Sequence, residues 1–240
     1  MILLFYLFSK ITFIAIIMIS IRGDTMGVIT ISRKMGSLGS AIGNKVAEEL
    51  GMKCVHKQFI ASIMKEYGFA SFNEIYEDVP NFWDRYDQMR VDTIDFMVKI
   101  MEAIGAHGDV VIVGRGGFEI FNDYNDVLNI RTQAPFDIRV QRKMEETGIS
   151  EKEAIKSVKR HDKSRKAFLK DQFKASYSNS NDFDFVINTD IVSVDTASDL
   201  IVTAYKNLMK HGRNHDSKNL KDLQIDPVLS DLIEEKLKEL

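Results

Sequence analysis

The sequence predicts an α/β fold built on a parallel sheet covered by helices on both faces. Three observations point there. Short β-branched or apolar runs alternate with helical patterns along most of the 240 residues, two of the strongest runs end in glycine-rich joints, and the composition is that of a packed domain with 45% hydrophobic residues and three prolines. A strand such as Asp109–Val113 (Asp-Val-Val-Ile-Val), continuously apolar after its first residue, is what a sheet buried on both faces requires. Sites in such sheets lie beyond the carboxyl ends of the strands, so the two glycine joints should approach one another in space.

From the N-terminus, Ile2 to Ile21 holds sixteen apolar residues of twenty, about the length that crosses a bilayer. Three readings compete for residues 1–25: a membrane anchor, a signal peptide lacking a basic n-region and a small-residue cleavage site, and an upstream extension of a chain that begins at Met26. Only the retained leader would bring the protein to a membrane. Val28–Ile31 then predicts the first strand. Gly36-Ser37-Leu38-Gly39-Ser40 is a turn cluster, and Ile42, Val46, Ala47 and Leu50 recur at helical spacing until Gly51. Lys53-Cys54-Val55 predicts a short second strand.

Two or three helices follow through Gln58 to Gly105, the clearest with Val91, Ile94, Met97, Val98, Met101 and Ile104 on one stripe. Asp109–Val113 is the next strand and ends in Gly114-Arg115-Gly116-Gly117. Val127–Ile130 predicts a fourth strand. Pro135 opens a helix that Gly148 stops. Ser150-Glu151-Lys152-Glu153 begins a basic helix, with nine Lys or Arg against three Asp or Glu from Lys152 to Lys174. Phe183–Asn188 predicts the last strand, followed by a helix through Leu200, Ile201 and Leu208. The expected organisation is one domain over 26–212, with a lid at about 150–175. A polar linker and an amphipathic helix at 213–240 are appended to the core or to a partner.

Composition excludes several functions. The formal charge of −3 argues against a dedicated nucleic-acid binder. The single cysteine, Cys54, rules out an intramolecular disulfide and a multi-cysteine zinc site, and fits a cytoplasmic, reducing compartment. The five histidines show no metal-ligand spacing, and there is no Gly-x-Ser-x-Gly elbow. Trp83 with Phe82 and Tyr86, and Phe69 with Phe72, read as packing or as platforms for a base.

What remains points to phosphate. A glycine turn between a strand and a helix N-terminus presents backbone N–H groups and the positive end of the helix dipole. Arg33-Lys34-Met35-Gly36-Ser37-Leu38-Gly39-Ser40 is such a turn and adds two cations. Against the pattern G-x-x-x-x-G-K-[ST], however, Arg33, Leu38 and Gly39 fill the glycine, glycine and lysine slots, and only Ser40 agrees. A tight turn with no ligand is the alternative.

The same run, with Ile42 and Ala47-Glu48-Glu49-Leu50-Gly51, resembles the opening of the cytidylate kinase-like family, whose glycine loop typically lacks the lysine. The resemblance continues in order through Val111-Ile112-Val113-Gly114-Arg115-Gly116, Arg131 to Arg142, Asp162-Lys163-Ser164-Arg165 and Asp184-Phe185-Val186-Ile187-Asn188-Thr189, spanning about Val28 to Leu208. It implies a three-layer P-loop NTPase-type fold with a five-stranded parallel sheet. It also implies phosphoryl transfer from ATP, with Mg²⁺, to a nucleoside monophosphate, CMP or dCMP by default.

Arg115 leaves the carboxyl end of a buried strand and is the candidate for the acceptor phosphate, which a guanidinium binds bidentately, and the resemblance places Asp162 on the acceptor sugar and Arg165 on its phosphate. Ion pairs are the alternatives, Arg115 with a core-edge carboxylate and Asp162 with Arg165. On the donor side stand Arg33, Lys34, Gly36, Ser37, Gly39 and Ser40. Arg33 is favoured to replace the missing lysine, against a solvated surface pair, and Ser40 reads either as an Mg²⁺ ligand or as a helix N-cap. Lys159, Arg160, Lys163 and Lys166 are expected to close over the phosphates from the lid, or to form a solvated face. Val158 and His161 stand where cytidylate kinases carry lid arginines, and His56-Lys57 replaces an Asp-Ser pair, departures that bear on the base. Leu38 and Ser40 also depart from the kinase-like relatives' Gly-Ser-Gly-Gly-Arg loop. The rival readings are a non-catalytic nucleotide or phosphate sensor and a membrane-tethered adaptor.

Overall fold

The computed structural model describes residues 27–69, 87–174, 180–213 and 218–240; the apolar leader and Phe72, Phe82, Trp83 and Tyr86 lie outside the described residues. Five strands, β1 (Val28–Arg33), β2 (Lys53–Val55), β3 (Val110–Val113), β4 (Val127–Gln133) and β5 (Phe185–Asn188), form one sheet in the order β2-β3-β1-β4-β5. Every pairing is parallel, and Val28 lies opposite both Val110 and Val127. β1 is therefore central, and its carboxyl end sits between those of β3 and β4.

Eight helices complete the described fold: α1 (Gly39–Leu50), α2 (Lys57–Glu66), α3 (Gln88–His107), α4 (Gly117–Ile120), α5 (Phe136–Thr147), α6 (Glu151–Gln172), α7 (Val194–His211) and α8 (Pro227–Lys238). Alternate residues of each strand feed opposite faces. On one, Ile29, Ile31, Val111, Val113 and Ile130 pack under Ile42 and Val46 of α1 and Ile201 and Tyr205 of α7. On the other, Val28, Val110, Ile112 and Val127 pack under α2, α3 and α8. The predicted three layers are present.

Several details differ from the sequence reading. β1 runs two residues past its apolar run because β4 keeps pairing with it, Ser32 opposite Arg131 and Arg33 opposite Thr132. Hydrogen bonding rather than hydrophobicity thus carries Arg33 to the end of the strand. On α3 the buried face holds Arg90 and Thr93 beside Ile94, Met97 and Met101, while Val91 is exposed. The C-terminal helix α8 is part of the core: Asp226 caps it, and Leu229, Ile233 and Leu237, four residues apart, are buried against the α3 side. Truncating any one of them costs about 2–5 kcal/mol.

α5 and α6 form a hairpin over the carboxyl edge of the sheet. Pro135 and Gly148 bound α5 as the sequence predicts, and Gly148 takes φ 68°. Ser150 and Glu153 cap α6 reciprocally, each bonding the other's backbone N–H. Val140, Ala154 and Val158 form a small core between the helices, and Met35 of the first glycine joint inserts into it. Among the described residues no helix is long and apolar enough to cross a membrane.

Candidate functional site

The first joint leaves β1 at Arg33 and enters α1 through Leu38, which is the N-cap at φ 56°. Gly36 (φ 75°) must be glycine because a Cβ there would fall 2.8 Å from the Arg139 carbonyl oxygen and 2.9 Å from its Cα. Ser37 is fully buried, and its hydroxyl bonds the Lys34 carbonyl at 2.7 Å and Thr132 at 3.0–3.1 Å, which sews the loop to β4.

The second joint leaves β3 through three consecutive left-handed residues, Gly114, Arg115 and Gly116. Arg115 holds φ 55° at a cost of about 1–2 kcal/mol. Its backbone is fixed by Gly114 N–H donating to Ile31 O at 3.0 Å and Gly117 N–H to Gly114 O at 3.1 Å. The two joints meet as the topology requires: the Arg33 guanidinium lies directly against Gly114, where a Cβ would displace it.

Between the joints and the α5–α6 hairpin lies a cleft of about 510 Å³. Among the described residues, seven Lys or Arg line it, namely Arg33, Lys34, Lys57, Arg115, Arg142, Lys143 and Arg165, against one carboxylate, Glu146. The N-terminal turn of α1 opens into it through Gly39, Ser40 and Ala41. Clustered cations and a helix N-terminus in a concave surface focus a strong positive field, so the arrangement suits a polyanion. Arg165 Nη1 donates to the Arg33 carbonyl at 3.0 Å, and Arg142 bonds the Gly36 carbonyl at 3.1 Å and Thr189 O at 2.7 Å.

Arg33, Lys34, Gly36, Gly39, Ser40, Arg115 and Arg165 all line the cleft. Ser40 is exposed and is not the N-cap, a place that Leu38 takes. Ser37 does not line it, because its hydroxyl is turned into the fold. Lys159, Arg160 and Lys163 are exposed on α6 and absent from the lining, as is Lys166. Lys159 Nζ instead sits 5.8 Å from the centre of the Phe136 ring. Asp162 lies outside the lining as well and forms no pair with Arg165; it grips Arg139 through two bonds of 3.0 and 2.9 Å.

Lys57, Arg142, Lys143, Glu146, His161 and Ser164 join the cleft without having been singled out as ligands. Lys57 was detectable, because it directly follows β2 at the carboxyl edge. Burial, then Arg139, pushes the Lys34 amine below its ordinary range. Burial, then Arg33, does the same to His56. Burial pushes the Cys54 thiol up to about 12, so it is a poor nucleophile. Among the described residues no group of three or more His, Cys, Asp or Glu is placed to hold a metal.

A family model described as the cytidylate kinase-like family matches residues 28–191. A cytidylate kinase of Pyrococcus horikoshii is 30% identical over 170 residues, covering 68% of this chain and 79% of its own. A uronate isomerase of Corynebacterium glutamicum is 29% identical over 106 residues, 44% of this chain, which spans only 20% of that relative's length. A crystal structure of an uncharacterized protein from Eubacterium ventriosum superposes with a TM-score of 0.53 at 24% identity, covering 75% of this chain and 98% of that one.

Proposed function

We infer the function of this chain from its family and its cleft: it belongs to the cytidylate kinase-like family, and we propose that it transfers a phosphoryl group from ATP to a nucleoside monophosphate, CMP or dCMP. The observation that carries this reading is the gathering of Arg33, Arg115 and Arg165 on one cleft with, among the described residues, four further Lys or Arg and a single carboxylate. Phosphoryl transfer asks the protein mainly to align two phosphates and neutralise the charge that spreads between them. Residues from β1, β3 and α6 supply that charge from three directions.

The donor side comprises the α1 N-terminus, Gly36, Gly39, Lys34 and Arg33. Gly39 occupies the place of the usual lysine, and Arg33 brings a guanidinium into the same cleft. The acceptor side comprises Arg115 and Arg165, with Lys57 beside them. Mg²⁺ keeps most of its ligands as water and phosphate oxygens, so the single exposed hydroxyl of Ser40 on the cleft fits it. When bound, the ion would neutralise phosphate oxygens and orient them. The kinase-like family and the lone thiol Cys54 support a cytoplasm-facing domain.

The sensor reading is favoured by one observation, the lysine-free loop. ADP release by the purified chain, coupled to a reporter and measured with CMP, dCMP, UMP and AMP in turn, separates the two. Turnover with a cytidine nucleotide supports the kinase. ATP binding without turnover on any acceptor supports the sensor.

A further inference from the structure

We propose that Asp162 is a positioning residue of the donor loop, acting through Arg139, rather than a contact of the acceptor sugar. The proposal rests on the reading above that the loop after β1 takes the donor.

The geometry runs from Asp162 to the loop without a gap. Asp162 takes both ends of the Arg139 fork, and the same guanidinium donates from Nη1 to the Met35 carbonyl at 3.3 Å and from Nε to the Ala134 carbonyl at 3.2 Å. The Arg139 side chain is only 4% exposed, so its direction is set by these partners. Gly36 rests directly on the Arg139 backbone, and the Met35 side chain is packed between α5 and α6. Ser157 of α6 adds a 3.7 Å contact from its hydroxyl to the Met35 sulfur.

Charge points the same way. Lys34 feels Arg139 and Arg131 as like charges and Asp162 as the opposing one. Without Asp162, the loop's lysine and a buried arginine would face each other with no countercharge, and a buried cation stripped of its partner is strongly penalised. Three loop carbonyls, those of Arg33, Met35 and Gly36, accept from Arg165, Arg139 and Arg142 respectively. Of these three arginines, Arg139 alone lies outside the cleft lining, so its task is the loop itself.

The test uses the full chain with Asp162→Ala, Asp162→Glu and Arg139→Lys. Hydrogen exchange of the Lys34–Ser40 amides is followed without nucleotide, and ATP and CMP constants are measured separately. Expected are faster exchange confined to that loop in Asp162→Ala and a weakening of ATP binding by roughly tenfold, the scale on which removing an orienting partner acts. The CMP KM should stay within about twofold, on the same footing. Asp162→Glu should recover part of the ATP affinity. Arg139→Lys, which lacks the fork, should reproduce the loss and serves where Asp162→Ala does not fold. Unchanged loop exchange, or a CMP KM that rises while ATP binding holds, overturns the proposal. If the unaltered chain binds no ATP, the functional reading fails, and loop exchange still decides the positioning role.

Discussion

The Arg165 guanidinium donates to the backbone carbonyl of Arg33 across 3.0 Å, so two cations 132 positions apart are tied together through a main-chain atom. Both residues border a cleft in which, among the described residues, seven Lys or Arg face one carboxylate. An anion in that cleft relieves the repulsion, and linkage turns its binding into stability.

Tripolyphosphate should therefore raise the melting temperature at constant ionic strength, by an amount equivalent to about 2.7 kcal/mol at a hundredfold excess over its Kd. Arg165→Met should abolish most of the rise. Thermal scans with matched sodium chloride give the comparison, and equal stabilisation of both proteins would remove Arg165 from the site.

Arg115 is 2% exposed yet borders the cleft, so its charge is held in place before any ligand arrives. Arg115→Ala should raise the CMP KM or abolish turnover, with a loss of about 2–5 kcal/mol in acceptor recognition, while ATP affinity is kept. Initial rates at saturating ATP and a separate ATP titration measure the two. Unchanged KM and kcat would be inconsistent with a role for Arg115.

Gly36 and Gly148 share a left-handed backbone but not their surroundings. A Cβ meets the Arg139 backbone at Gly36 and open space at Gly148. Gly148→Ala should cost about 1–2 kcal/mol, the conformational penalty alone. Gly36→Ala should cost more, about 3 kcal/mol or above, because backbone must also move. Urea denaturation of both variants checks the order.

His56 is held below its ordinary pKa by burial and by Arg33, and its ring bonds Asn44 at 2.7 Å. The folded state therefore favours the neutral ring. Its contribution is present above the unfolded value near 6.5 and is lost as pH falls from there through the lower folded value. Between pH 7.5 and 5.5 the unaltered chain should lose more stability than His56→Gln. Parallel losses in urea melts would show that another group governs this range.

The scaffold was legible because its signals are local. β-branched runs reaching Ile31 and Val113, each followed by a glycine joint, mark two neighbouring strands, and parallel topology brings Arg33 and Arg115 to one edge. The facing of α6 is carried by its charges as well, because at about 100° per residue every Lys and Arg of the helix except Arg165 falls within roughly one third of its circumference, on the solvated side. Its phase is carried by the buried residues Ala154, Val158, Phe168 and Leu169, a stripe that includes His161 and Arg165 and leaves Lys159, Arg160 and Lys163 outside. Ser37 and Asp162 stand outside the cleft lining for a different reason. Each spends its polar group on a tertiary partner, Thr132 and Arg139, that no spacing along the chain reveals.

Whether donor and acceptor phosphates occupy one cleft is decided by titrating the chain calorimetrically with a single molecule in which adenosine and cytidine are joined through five phosphates. A shared cleft should bind one equivalent more tightly than ATP or CMP alone, with competition by both and loss of that advantage in Arg33→Ala, Arg115→Ala and Arg165→Ala. Binding no tighter than that of ATP, with CMP still able to bind alongside, would contradict it.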